Sequence, residues 1–279
     1  MGIVEMHLFT KAVAAAALVA APVLPLQLAA AGVGDLLVAP TRLVLNGGRS
    51  AEVILNNIGE EPATYRISAE FRRMNPDGTL EEVAEPTQAE NAARDMLIFA
   101  PRRVTLAPRE PQSIRIAARP PAGLPDGEYR IHLLFRAVPP ATPVAKPASE
   151  PAKGLSFKLT PIYGVTIPVI VRLGNLDVKA AISNVRVERR DGKPVIALDV
   201  GRTGGRSTFG EVRVLKSGVK DPIAQSRAVA VYTELNQREV VVPVDEAFTG
   251  DLTGPVTVQY VESFDDGTKT LAETQAVLR

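Results

Sequence analysis

From residue 35 onward the chain alternates apolar and polar residues with a period of two, and helical periodicity is scarce. Successive side chains of a strand point to opposite faces, so such runs supply one face for a core and one for water. Tyr65, Ile67, Ala69 and Phe71 share one parity, against Arg66, Ser68, Glu70 and Arg72 on the other. Tyr129, Ile131, Leu133 and Phe135 repeat the pattern, against Glu128, Arg130, His132 and Arg136. Asn75-Pro76-Asp77-Gly78 and Asp191-Gly192 punctuate these runs with turn chemistry.

Residues 36–45 read as one strand, Asn46-Gly47-Gly48 as a tight hairpin turn, and 51–56 as the returning partner. Residues 79–83 form a short strand, and 85–95 a loop or a single helical turn. Further strands cover 96–106, 113–119 and 127–138. Many short strands with turns between them indicate an immunoglobulin-like sandwich. A second β pattern follows Gly174-Asn175, with strands over 178–188, 195–200, 211–215, 228–233, 239–244, 256–263 and 269–278. The expected fold is therefore all-β, two immunoglobulin-like β-sandwich domains after a cleaved signal peptide. Residues 1–31 are the signal peptide, 32–174 the N-terminal domain and 175–279 the C-terminal sandwich.

The signal assignment rests on an apolar run, 12–31, that ends in Ala29, Ala30 and Ala31, an A-x-A cleavage pattern. Pro22 and Pro25 break the run and leave it short for a spanning helix, which favours cleavage over anchoring. The expected location is the periplasm, with no stable membrane insertion. Cysteine is absent, so each domain relies on its core alone, and thiolate metal sites and thiol nucleophiles are excluded. A balance of 32 basic and 31 acidic residues argues against nucleic acid, which demands a basic face.

No enzyme constellation emerges. His132 is the one histidine beyond the apolar run, it lies mid-strand, and no G-x-S-x-G elbow accompanies it. The run 201–207 faintly resembles a phosphate-cradling loop, but strand patterns flank it and the P-loop lysine is missing. Asp77, Asp265 and Asp266 belong to Asp-Gly turns rather than to a spaced calcium loop. The expectation is a non-enzyme with no catalytic residue, no metal and no cofactor.

Residues 155–173 carry the longest alternation. Leu155, Phe157, Leu159, Tyr163, Val165, Ile167, Val169 and Val171 share odd parity, and Pro161, Gly164 and Pro168 interrupt the run. Proline is tolerated mainly on sheet edges, so the stretch reads as an edge strand running into the hinge. The proline-rich segment 139–154 is then a loop joining it to 127–138. By alternation alone, the odd face either packs into the protein's own core or lies open to β-augmentation by another chain.

Several ordered motifs resemble the periplasmic pilus-assembly chaperones of the PapD type. They are Pro40-Thr41-Arg42, the run 51–57 followed by Pro62 and Tyr65-Arg66, the run 101–108 leading to 112–116, and Gly127-Glu128-Tyr129-Arg130 with Phe135-Arg136 and Pro139-Pro140. Together they cover about 36–173. The resemblance implies a chaperone that stabilises pilin-like subunits by donating a β-strand and delivers them to an outer-membrane usher. It implies Phe157, Leu159 and Tyr163 as donated side chains, and Arg42 as a cleft arginine anchoring the client's C-terminal carboxylate. The family's partner lysine has no counterpart: Pro168 stands near its place, Lys158 comes too early, and Arg172 is the residue left to reach the cleft. A structural or adhesive Ig-like surface or fimbrial protein is the alternative function.

Overall fold

In a computed structural model, residues 35–139, 162–264 and 267–279 are described. The segment assigned as a signal peptide, the proline-rich loop, and Phe157 and Leu159 lie outside them. Nearly everything described is strand, arranged as two sandwiches.

The first sandwich is built from β1 (Leu36–Ala39), β2 (Leu43–Asn46), β3 (Ser50–Asn57), β4 (Ala63–Glu70), β7 (Leu97–Ala100), β8 (Arg103–Leu106), β9 (Pro111–Ala118), β10 (Gly127–Val138) and β11 (Gly164–Leu173). One sheet has the order β1-β3-β9-β7 and the other β2-β11-β10-β4-β8. Val53, Leu55, Ile114 and Ile116 from the first sheet meet Tyr65, Leu133, Phe135 and Val169 from the second in one core. These are the apolar parities of their strands, so alternation does decide which face is inside.

Between β4 and β7 the chain adds a ribbon, β5 (Arg72–Met74) with β6 (Leu80–Glu82), and a helix, α1 (Gln88–Met96). The helix corrects the expectation of a loop or single turn. Thr87 accepts from the Glu90 amide while Glu90 accepts from the Thr87 amide, a reciprocal capping box, and Ala93 and Met96 are buried beneath. A short helix with only two core residues gives little periodicity to read.

Two other expectations change. Residues 36–45 are not one strand: β1 pairs antiparallel with β3, whereas β2 crosses to the other sheet and pairs parallel with β11. The turn at 46–48 therefore joins strands in different sheets and is not a hairpin, although Gly47 and Gly48 do take positive φ. Likewise 96–106 divides into β7 and β8 on opposite sheets.

The second sandwich comprises β12 (Val178–Arg190), β13 (Lys193–Gly204), β14 (Thr208–Lys216), β15 (Ala224–Val231), β16 (Gln237–Pro243), β17 (Gly254–Phe264) and β18 (Gly267–Leu278). Its sheets are β12-β13-β16 and β15-β14-β17-β18. Ile196, Leu198, Val200 and Val242 pack against Val214, Val231, Val258 and Tyr260. Asp191 and Gly192 both have positive φ between the paired Arg190 and Lys193, the geometry of a two-residue hairpin turn. A third, small apolar cluster of Met74, Ile170, Ala230 and Tyr232 joins the two sandwiches.

Candidate functional site: the β11 edge and the arginine cleft

The long alternation resolves into two parts along β11. From Val169 to Arg172 its outer edge is covered by β2. From Tyr163 to Pro168 the strand pairs with β10 on one side, and no strand pairs with its other side among the described residues. The expectation of an edge strand along the whole run is thus corrected for Val169–Arg172, where β2 makes it an interior strand.

The odd-parity face shows a gradient. Val169 and Val171 are fully buried, Ile167 is 1% exposed, Val165 is partly buried, and Tyr163 is 48% exposed. Ile162, before it, is 46% exposed. The apolar face therefore begins inside the protein's own core and runs past the end of it.

Hydrogen-bond phase explains why Pro168 is tolerated. The Tyr163 carbonyl accepts from the Ala137 amide at 2.9 Å, so odd residues of β11 face β10. Even residues face the other way, as the Arg172 carbonyl does in accepting from Gly47 at 3.0 Å. Pro168 is even, so its missing N–H costs no bond to β10. Gly164 and Thr166 direct their backbone groups at the uncovered edge.

Where β2 begins, Arg42 stands one residue before the Leu43–Val169 pair and thus beside Pro168. It lines a cleft of about 700 Å³ with Pro40, Val44, Arg172, Phe209 and Glu262. Its guanidinium carbon lies 4.6 Å from the Phe209 ring centroid and 5.9 Å from that of Tyr232. Nη2 donates to Ser207 Oγ at 3.3 Å, while Nη1 is buried without a hydrogen-bond partner. Burial lowers the Arg42 pKa, opposed by Tyr232 and Glu128 nearby. A buried guanidinium with an unpaired donor favours a carboxylate partner, because its own desolvation cost has already been met on folding.

Arg172 lies in the same cleft but is differently employed. Its Nε donates to Glu128 Oε2 at 3.0 Å, and Nη2 donates to the Ser207 carbonyl at 3.4 Å. Glu128 is fully buried and also accepts from the Ser207 amide at 3.0 Å. Sequence reasoning missed Ser207, Phe209 and Tyr232, which come from the second sandwich. Ser207 ends the run 201–207, noted in the sequence only for its faint phosphate-loop look, Phe209 lies in β14, and Tyr232 follows β15; no local pattern ties them to Arg42.

His132 is 1% exposed and lies edge-on to Tyr232, with ring centroids 6.4 Å apart. It is a packing histidine at the seam between the sandwiches. Burial, then Arg130 and Arg72, hold its pKa down at about 3.

No family model matches the sequence, and no curated protein does. The chain is similar in structure to solved fimbrial chaperones. The Pseudomonas aeruginosa CupB2 chaperone shares 15% identity, covers 87% of this chain and 100% of its own, and has a TM-score of 0.46. The E. coli chaperone DraB shares 14%, covers 88% and 97%, and has a TM-score of 0.45. A Salmonella enterica structure of the SafA pilin in complex with the SafB chaperone gives 16%, 88% and 96%, with a TM-score of 0.43.

Proposed function

We propose that this protein is a non-enzymatic periplasmic chaperone that holds pilin-like subunits through the β11 edge for delivery to an outer-membrane usher. We further propose that the first sandwich ends at residue 174 and the second begins at 175. The observation that carries the reading is the β11 gradient: an apolar strand face that leaves its own core at Tyr163, beside an edge with no partner strand among the described residues. An added strand would gain main-chain bonds from Gly164 and Thr166, and a subunit lacking a strand would bury Tyr163 and the residues before it. Each large apolar side chain so buried contributes about 1.5–3 kcal/mol.

Arg42 supplies the direction. A strand placed on the uncovered edge would end against Arg42, where β2 begins. If that end is a C-terminus, the client strand runs parallel to β11 and its carboxylate meets the Arg42 guanidinium. Phe157, Leu159 and Tyr163 are the proposed donated side chains, and Arg42 the proposed anchor. Arg172 lines the cleft and supports it through Ser207.

Co-expression with a pilin-like subunit encoded nearby tests the reading. The expected result is a soluble periplasmic complex, lost when Leu159 and Tyr163 are replaced together by Asp. Recovery of an intact complex from that double variant would show that the strand is not what holds the client.

A further inference from the structure

The run 201–207, which is the end of β13 followed by the turn into β14 and not a loop throughout, sits in the second sandwich, yet it controls what the cleft presents. Ser207 lies at its end and accepts from Arg42 through Oγ, accepts from Arg172 through its carbonyl, and donates its amide to Glu128. The loop cannot cradle phosphate, because its carbonyls turn inward onto a buried guanidinium. Arg202, 5% exposed, donates through Nη1 to the carbonyls of Gly204 at 2.7 Å and Arg206 at 3.1 Å. Through Nη2 and Nε it also reaches the carbonyls of Thr233 and Leu235, both at 3.2 Å.

One guanidinium therefore ties two segments together. The first carries Ser207. The second, 233–235, follows Tyr232, which faces Arg42, and contains Glu234, which takes the fork of Arg130 at 2.6 and 2.9 Å. No carboxylate lies within ion-pair distance of Arg202 among the described residues. Its charge is spent on four carbonyls, a geometry that a planar fork satisfies and a point-like ammonium does not.

We propose that Arg202 is a positioning residue for the client's terminal carboxylate: by clamping the 204–207 loop to the 233–235 turn, it fixes Ser207 and Tyr232 around Arg42 and so sets where the Arg42 guanidinium stands in the cleft wall. This rests on the reading of Arg42 as the anchor. Arg202 touches no client atom and acts through Ser207 and Tyr232.

The test compares two synthetic peptides with the full chain by fluorescence anisotropy. Each alternates valine and threonine after a few leading lysines; one ends in a free carboxylate and its twin in an amide. The unaltered protein should prefer the free acid by about ten- to a hundred-fold, the range of a charge-assisted hydrogen bond. Arg42→Ala should erase that preference. Arg202→Met should also bring it near unity while leaving affinity for the amide intact. A purely structural role would weaken both peptides alike and keep the ratio, which overturns the proposal. Should Arg202→Met not fold, Arg202→Lys retains the stem and charge without the fork and is expected to lose the ratio too; a wild-type ratio there overturns it equally. If the unaltered protein itself shows no preference for the acid, the anchor reading fails and this inference with it.

Discussion

Arg42, Glu128 and His132 share one seam, and each meets burial differently. Glu128 is matched at Oε2 by Arg172 and the Ser207 amide, Arg42 rests on aromatic faces with Nη1 buried and unpaired, and burial, then Arg130 and Arg72, hold His132 neutral. The neutral histidine sets a pH dependence. Its native pKa is about 3, against an ordinary value of 6.5. Unfolding therefore takes up a proton between those limits, and stability is lost as pH falls from about 6.5 toward 3. The charges and titratable groups facing the ring are Arg130, Arg72 and Tyr232. Urea midpoints measured at pH 7 and pH 4 should converge in His132→Leu relative to the unaltered protein, by an amount on the order of a few kcal/mol.

Among the elements, glycines separate turn strain from close approach. Gly192 has a φ of 77° with nothing near a Cβ, so Gly192→Ala should cost only the backbone strain of about 1–2 kcal/mol. Gly210 sits at a register shift in β14, where a Cβ would strike the Val261 carbonyl of β17. Gly210→Ala should cost more than Gly192→Ala in thermal denaturation, even though only Gly192 has the left-handed backbone. Thr87→Ala removes the cap of α1 and should cost about 1 kcal/mol, visible as lost amide protection in that helix. The hairpin at Asp191-Gly192 was legible because turn type dictates residue type locally. The crossing of β2 was not, since Pro40-Thr41-Arg42 bends the chain to the other sheet for reasons of long-range pairing with β11.

At the scale of the molecule, two separate cores are joined by a polar seam with a small apolar centre. The β5–β6 ribbon grips the second sandwich: the Met74 amide donates to Glu234 at 2.8 Å, and the Glu239 amide donates to the Pro76 carbonyl at 2.8 Å. Arg130 stacks 3.8 Å from the Tyr232 ring centroid while forking to Glu234. Glu234→Ala removes the carboxylate from the Arg130 fork and from the Met74 amide, while Arg130 keeps the Arg72 carbonyl. Glu234 is itself solvent-exposed, so the expected cost is that of charge-assisted hydrogen bonds, about 1.5–3 kcal/mol. Calorimetry of that variant should resolve two unfolding transitions where the unaltered protein shows more cooperative melting, and a single unshifted transition would show that the seam does not couple the sandwiches.

The alternation by itself determined the β class and the inward parity of the runs 65–71 and 129–135, because a period of two turns one face of such a run inward. It also marked the apolar run through Tyr163 and Val169 as exceptional. Only the tertiary structure decided where that run is covered: β2 closes the edge from Val169 to Arg172, and no strand among the described residues covers it from Tyr163 to Pro168. The surroundings of Arg42 were decided there too. Ser207, Phe209 and Tyr232 reach it from the other sandwich, and sequence periodicity carries no record of which distant strand ends will meet.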